Sequence, residues 1–196
     1  MKTLMLIMIM MMVISPVVLA MTPEDTLFNN PASPWFGAKN PRLTIVSFTD
    51  YNCPYCKQFD PMLEKVAKEN PDVRVVIKLL PFRGASSIIA GRAAMTVWEQ
   101  HPEKFLVVHQ RLMSKKGQHD EASALEAVKY AGLEPIRVTP ASYLELKTNL
   151  EIAEVLGIQG TPATIIGDQL IAGAISWEDL QKVVKEQLAK AKHDQT

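Results

Sequence analysis

The sequence predicts an α/β fold in which a strand–helix–strand unit and a closing strand–strand–helix unit enclose an all-helical insertion. Three observations support this prediction. An apolar run at residues 43–49 is followed at once by the segment Cys53-Pro54-Tyr55-Cys56 and then by apolar residues at helical spacing. The middle of the chain shows helical periodicity alone. Near the end, two short apolar runs precede a further helical pattern.

The first unit consists of two predicted strands and the helix between them. Residues 43–49 (LTIVSFT) and 73–80 (VRVVIKLL) are rich in β-branched side chains, as buried strands are. Between them, residues 58–70 place apolar side chains three and four positions apart, which is the spacing of one helix face. A strand, a helix and a strand in this order favour parallel pairing of the two strands.

The rest of the chain divides into the insertion and the closing unit. Four segments of the insertion, which we place at residues 83–156, show helical periodicity: 90–98, 105–113, 122–130 and 143–155. Residues 163–166 and 169–172 are typical of two strands joined by a Gly-Asp turn. A capping-box pattern that begins at Ser176 then predicts a helix through Leu188.

The start of the chain differs from the remainder. In residues 1–20, Lys2 is followed by an apolar run too short to span a bilayer and then by small residues, a pattern typical of a cleaved signal peptide. Residues 21–34 contain several prolines and predict an irregular lead-in. The 21 basic and 21 acidic residues balance, which gives no basic stripe for nucleic acid. A secreted chain lives where disulfides persist, so its two cysteines can be expected to cycle through one.

Cys53 and Cys56 lie at the predicted strand-to-helix junction. Cys53 falls at the helix N-terminus, where unpaired N–H groups and the positive end of the helix dipole favour a thiolate. Pro54 suits the first turn because its missing N–H is not needed there. We therefore predict that Cys53 attacks and that Cys56 resolves the mixed disulfide. A purely structural disulfide would close a very small loop and gain little, and a zinc site would need further ligands.

No other set of side chains predicts a reactive or metal site. The spacing of His101, His109, His119 and His193 is not that of a metal cluster. We expect these histidines to be surface or cap residues. The sequence also indicates no function for Arg83.

Two segments resemble a known family. Residues 48–57 (FTDYNCPYCK) resemble the active-site segment of the DsbA superfamily, which has thioredoxin-like folds with an inserted helical domain; more narrowly, they resemble its copper-resistance-associated ScsC-like branch. Residues 160–164 (GTPAT) are similar to the loop in which this family carries a cis proline. The resemblance implies a thioredoxin-like domain at residues 35–82 and 157–190, interrupted by the all-helical insertion at 83–156.

The resemblance also implies roles for single residues. Pro162 is expected to follow a cis peptide bond and to lie beside the cysteines. Thr161 and Pro162, together with Pro54 and Tyr55, are expected to border the substrate groove. The backbone of Thr161 would pair with an extended client peptide as an added strand.

One position departs from the family pattern. Several relatives place a buried acid six residues before the first cysteine, where this chain has Ser47. Asp50 lies nearer to the motif, and two interpretations stay open for it. It either takes a related part in proton transfer or is a solvated loop aspartate.

The resemblance implies a periplasmic protein thiol–disulfide oxidoreductase and leaves the direction of electron flow open. Thr161 resembles isomerases and reductively maintained members, whereas strong oxidases of the family commonly carry valine there. The isomerases are usually oligomers built on an N-terminal helical module, for which the lead-in here is too short. We therefore expect a monomer that acts on thiol or disulfide client proteins and is kept reduced by a membrane reductase of the ScsB or DsbD type. No organic cofactor is implied.

Two other classes of function stay open for the same residues. The closely spaced thiolates of Cys53 and Cys56 are the soft ligands that Cu(I) prefers, so the chain could bind or sequester copper. A binding module in which Cys53 is inert is the third interpretation. It would require a Cys53→Ser variant to keep full activity.

Overall fold

From residue 43 onward, the order of secondary structure follows the predicted scheme, whereas the short helix and the short strand before it were not predicted. A computed structural model describes residues 21–193, so the predicted signal peptide at residues 1–20 lies outside the described residues. The helices and strands, in chain order, are α1 (Pro23–Phe28), β1 (Trp35–Gly37), β2 (Leu43–Thr49), α2 (Pro54–Glu69), β3 (Val73–Leu79), α3 (Ala85–Gln100), α4 (Phe105–Ser114), α5 (Glu121–Tyr130), α6 (Pro140–Val155), β4 (Ala163–Ile166), β5 (Gln169–Ala172) and α7 (Trp177–His193). Within residues 21–193, no helix combines the length and the apolar character that a membrane span needs.

The five strands form one mixed sheet in the order β1-β3-β2-β4-β5. β2 is central and pairs in parallel with β3, as predicted, and antiparallel with β4. β2 and β3 are apolar along nearly their whole length because both faces of the sheet are covered. Ile45 and Ile77 pack on the face that α2 and α7 cover. Val46 and Val76 pack on the opposite face, against α1 and the end of α6.

The helical insertion lies between β3 and β4. α3 contacts α4, α5 and α6, and α4 also contacts α2, the helix that follows the cysteine motif. The insertion therefore packs directly against the part of the sheet domain that carries the predicted site.

The lead-in is more regular than the sequence predicts. Residues 21–34 were expected to be irregular, but Pro23–Phe28 form a helix. The Thr22 hydroxyl caps it by accepting from the Asp25 N–H at 3.0 Å. Pro23 occupies the first turn, where its missing N–H is not needed. A proline that sequence reasoning takes as a helix breaker is here part of a helix start.

A buried lysine ties the lead-in to the sheet and to the insertion. Lys78 on β3 is 0 % exposed, and its Nζ donates to the Thr26 carbonyl at 2.8 Å and the Ser33 hydroxyl at 2.6 Å. The Glu145 carboxylate on α6 lies 3.7 Å from Nζ and accepts from Ser33 at 2.7 Å. Burial lowers the pKa of Lys78, and the charge of Glu145 opposes that shift. One buried ion pair thus joins three parts of the chain.

We expect Lys78→Met to lower the free energy of unfolding by about 3–5 kcal/mol, because it leaves the Glu145 carboxylate buried without its cation. Urea denaturation followed by circular dichroism measures this loss. The matched control is Lys147→Met, which breaks the exposed pair with Glu151 and should cost less than about 1 kcal/mol. A Lys78→Met variant no less stable than the control would contradict the assignment.

Candidate active site

The two cysteines lie at the start of α2, directly after the turn that follows β2. Cys53 is the N-cap residue of α2, with φ −83° and ψ 118°, and Pro54 follows in the first turn, as predicted. The Cys53 carbonyl accepts the N–H of Lys57 at 3.1 Å and so begins the helix. Its side chain makes no capping hydrogen bond. The sulfur therefore lies at the end of the helix where unpaired N–H groups favour an anion.

The loop before β4 lies beside Cys53. The Thr161–Pro162 peptide bond is cis, as predicted. β4 pairs with β2 in a register that sets Ala163 opposite Phe48, which brings this loop to the end of β2. The Thr161 carbonyl lies 3.2 Å from the Cys53 sulfur and accepts its S–H. Segments more than a hundred residues apart in sequence meet at this point.

Both cysteines are free thiols in the structure and both are buried, at 2 % and 1 % exposure for Cys53 and Cys56. Surface exposure therefore does not separate them, but their acidity does. Burial alone would raise the pKa of Cys53, yet hydrogen bonds from the Cys56 backbone and the Thr161 side chain outweigh it and lower that pKa. Burial raises the pKa of Cys56 to about 12, against weaker opposing hydrogen bonds from Thr49 and Thr161.

The contrast in acidity gives the two thiols different chemistry. A thiolate, not a thiol, attacks a disulfide, and of the two cysteines Cys53 is the one whose pKa is lowered toward that form. Cys56 holds its proton until a mixed disulfide at Cys53 offers it an electrophile one helical turn away. The two environments therefore support the prediction that Cys53 attacks and Cys56 resolves.

The predicted groove residues differ in exposure. Pro54 and Tyr55 are exposed, and the Tyr55 side chain is 63 % exposed. Thr161 is half-buried against the sulfurs, and Pro162 is buried. The structure therefore brings Thr161 to the cysteines and turns Tyr55 toward solvent at the mouth of the site.

Asp50 is not a solvated loop residue: it is 2 % exposed. Its carboxylate accepts from the Asn52 N–H at 2.8 Å, the Ser87 hydroxyl at 2.7 Å and the Arg83 N–H at 3.1 Å. Arg83 thus contributes a backbone group. The carboxylate faces the helical insertion, and it holds the turn that precedes Cys53.

The position that holds a buried acid in several relatives is polar and uncharged here. Ser47 is 1 % exposed and is paired in register with Thr164 of β4, which is 0 % exposed. A serine and a threonine side by side on neighbouring strands offer hydroxyl groups where the family pattern has a carboxylate.

Two of the four histidines were wrongly expected at the surface. His109 and His119 are buried, at 0 % and 4 % exposure, whereas His101 ends α3 as a cap residue, as predicted. The expectation failed because His109 shares the apolar stripe of α4 with Phe105 and Leu112. That helical spacing was the available signal. Within residues 21–193, no group of three or more His, Cys, Asp or Glu side chains is placed to hold a metal ion.

Comparisons with known proteins agree with this geometry. A family model described as a DsbA-like thioredoxin domain matches residues 44–185. A periplasmic thioredoxin-like protein from Salmonella enterica serovar Typhimurium is 54 % identical, with a TM-score of 0.83 over 85 % of this chain and 96 % of that chain. The catalytic domain of Proteus mirabilis ScsC is 52 % identical, with a TM-score of 0.83 over 85 % of this chain and 94 % of that one. Disulfide bond formation protein D of Bacillus subtilis is 25 % identical over 79 % of this chain and 77 % of its own length.

We expect the two thiols to differ strongly in their reaction with iodoacetamide. In a Cys56→Ala variant, Cys53 should react at pH 7. As the pH is lowered, its reaction rate should fall at a lower pH than that of an ordinary thiol, because its pKa is lowered. In a Cys53→Ala variant, Cys56 should stay unmodified at that pH because its pKa is about 12. Rates are measured by mass spectrometry across a pH series. Both variants unfolded in guanidinium serve as controls and should react alike; equal rates in the folded proteins would refute the assignment.

Proposed function

The chain belongs to the family of DsbA-like thioredoxin domains, and from this premise we propose that it is a periplasmic, ScsC-like exchange protein that a membrane reductase keeps reduced and that acts under copper stress. The predicted family and the predicted protein disulfide oxidoreductase activity are confirmed. The observation that carries the exchange chemistry in this proposal is the contrast between Cys53, whose pKa is lowered at the start of α2 beside Thr161, and Cys56, whose pKa burial raises to about 12.

The reaction proceeds through one mixed disulfide. The Cys53 thiolate attacks a sulfur of the client disulfide, the client S–S bond breaks, and the other client sulfur leaves as a thiolate. Cys56 then loses its proton and attacks the Cys53 sulfur. The bond between Cys53 and the client breaks, and the client sulfur that was bonded to Cys53 leaves and takes up a proton as a thiol. The client gains two electrons and the Cys53–Cys56 pair loses them. A membrane reductase of the ScsB or DsbD type returns these electrons.

The cis loop supports a protein maintained in the reduced state. Thr161 places both its carbonyl and its hydroxyl at the sulfurs. Its hydroxyl helps to lower the pKa of Cys53, which taken alone raises the reduction potential. The support for the reductive direction is instead that Thr161 stands where reductively maintained members resembling this chain carry a threonine before the cis proline. The same loop, with the exposed Pro54 and Tyr55, forms the border on which an extended client segment would lie.

The packing of the lead-in supports a monomer. α1 and the residues after it lie against the domain. Thr26 and Ser33 accept from the buried Lys78. The apolar leader at residues 1–20 and the periplasmic Salmonella relative support export to the periplasm.

The reduction potential of the Cys53–Cys56 pair tests the proposed direction. We expect about −180 mV or lower, measured by equilibration of the mature protein with glutathione, because a protein held reduced lies at or below that value. A potential near −120 mV would make the chain a disulfide donor and would refute the reductive role. The Cys53→Ser variant is the control and should show no exchange.

Copper binding is the second candidate, and the adjacency of two buried sulfurs favours it. Cu(I) is soft and takes thiolate ligands, and Cys53 and Cys56 are the residues that would hold it. The high pKa of Cys56 weighs against it, because the metal must displace a firmly held proton. Exchange needs that deprotonation only in the resolving step. We therefore rank exchange first.

Trapping separates the two candidates. A Cys56→Ala variant expressed in the periplasm should accumulate mixed disulfides through Cys53, because the resolving thiol is gone. Non-reducing gels followed by mass spectrometry detect them. The Cys53→Ser/Cys56→Ala double variant is the control and should trap nothing. If the single variant also traps nothing while the unaltered protein binds Cu(I) tightly, copper handling is the better account.

A further inference from the structure

The turn that precedes Cys53 is buried to an unusual degree for a turn. Asp50, Tyr51 and Asn52 belong to neither β2 nor α2, and connecting segments usually lie at the surface. Here all three are buried, at 2 %, 1 % and 5 % exposure. Their polar groups must therefore find partners within the protein, and each finds them in the helical insertion.

Asp50 is held at the start of α3. Its carboxylate accepts from the Ser87 hydroxyl at 2.7 Å and from the Arg83 N–H at 3.1 Å. It also accepts the Asn52 N–H at 2.8 Å, and its own carbonyl accepts the Cys53 N–H at 3.0 Å. One residue thus fixes both ends of the turn relative to α3.

Tyr51 is held on α4. Its hydroxyl lies 2.9 Å from Nδ1 of His109, whose Nε2 lies 3.0 Å from both carboxylate oxygens of Asp60. Because a carboxylate only accepts, Nε2 carries a proton, and in the neutral imidazole Nδ1 is then the acceptor of the Tyr51 hydroxyl. Burial, together with the charge of Asp60, raises the pKa of Tyr51 well above its ordinary value, so the hydroxyl keeps its proton. Asp60 lies on α2, so this chain of contacts also ties α4 to the active-site helix.

Asn52 joins two parts of the insertion. Its amide nitrogen donates to the hydroxyls of Ser86 at 2.9 Å and Ser87 at 3.0 Å. Its amide oxygen accepts the His119 N–H from the segment before α5 at 2.8 Å. Ser86 in turn donates to the His119 carbonyl. All hydrogen-bonding capacity of the Asn52 amide except one acceptor position is used.

We propose that the helical insertion positions the attacking cysteine: Asp50, Tyr51 and Asn52 fix the turn before Cys53 on α3, on α4 and on the segment before α5, and this arrangement sets the redox balance of the cysteine pair. The inference rests on the proposed exchange function. Cys53 receives its stabilising contacts from the backbone of α2 and from Thr161. Those contacts depend on where the turn delivers the sulfur. The insertion is then part of the redox site, although the contacts that stabilise the Cys53 thiolate come from other segments.

Ser87→Ala tests the inference from a distance. It removes one hydroxyl from α3 that contacts both Asp50 and Asn52, and it changes nothing at the sulfurs. A looser turn stabilises the Cys53 thiolate less, so the reduced pair loses stability relative to the disulfide. We expect the equilibrium with glutathione to shift about tenfold toward the disulfide, which corresponds to about 30 mV. Iodoacetamide should also react more slowly with Cys53 at pH 6.

Ser142→Ala is the matched control. Ser142 is a buried serine of the same insertion, and its hydroxyl donates to the Thr139 carbonyl at 2.6 Å, away from the turn. It should lower thermal stability without moving the reduction potential. If both variants leave the potential unchanged, the anchors are merely structural and the inference is wrong.

Tyr51→Phe keeps the test decisive if Ser87→Ala does not fold. It removes the hydroxyl that contacts His109 and retains the buried ring, and it should shift the potential in the same direction. The unaltered protein distinguishes a failure of the proposed exchange function from a failure of the positioning inference. If its cysteines do not equilibrate with glutathione at all, the proposed function fails. If they do, but Tyr51→Phe and Ser87→Ala match it, only the positioning inference fails.

Discussion

The placement of one sulfur at the N-terminus of α2 is the constraint on which the remainder of the site depends. β2 carries the chain to that point, and its antiparallel partner β4 carries the cis loop to the same edge of the sheet. Because Ala163 pairs with Phe48, Thr161 falls beside Cys53 and its carbonyl lies 3.2 Å from the sulfur. The same strand pairing that builds the sheet thus assembles the reactive groups, so a shift of register would separate them.

Burial acts in the same direction on both thiols, but the hydrogen bonds around them differ. Both are removed from water, and removal from water alone raises the pKa of each. Cys53 gains enough hydrogen bonds from the helix start and from Thr161 to reverse that effect, whereas Cys56 does not. One turn of helix therefore separates a thiol whose pKa is lowered from one whose pKa is raised to about 12. In the exchange that we propose, this difference lets the pair divide the attacking and the resolving step between them.

Local sequence patterns predicted the elements whose surroundings are simple. The bounds of β2 and β4 match the predicted runs, because apolar strands buried on both faces leave an unambiguous signal. The bounds of β5, a half-exposed edge strand, also match, because the Gly-Asp turn marks its start. The roles of Asp50, Lys78 and His109 were not predicted. Each is polar, and its burial depends on partners far along the chain, such as Ser87 for Asp50, 37 residues away. No local pattern distinguishes a satisfied buried aspartate from a solvated one. The cis bond at Pro162 was predicted only through the family resemblance, since most X-Pro bonds are trans.

The polar character of the turn before Cys53 has a physical consequence for how the site is held. An apolar turn could pack against the insertion in several ways, whereas hydrogen bonds require particular distances and directions. Asn52 satisfies donors and acceptors on α3 and before α5 at once, and Tyr51 reaches α4 through His109. Losing one partner leaves another buried group unpaired, so the network favours one arrangement over its neighbours. The strands of the sheet domain bring Cys53 to the N-terminus of α2. The hydrogen bonds between the preceding turn and the insertion then fix where its sulfur lies. A change in the contacts between the insertion and this turn therefore changes the exchange chemistry of Cys53 as well.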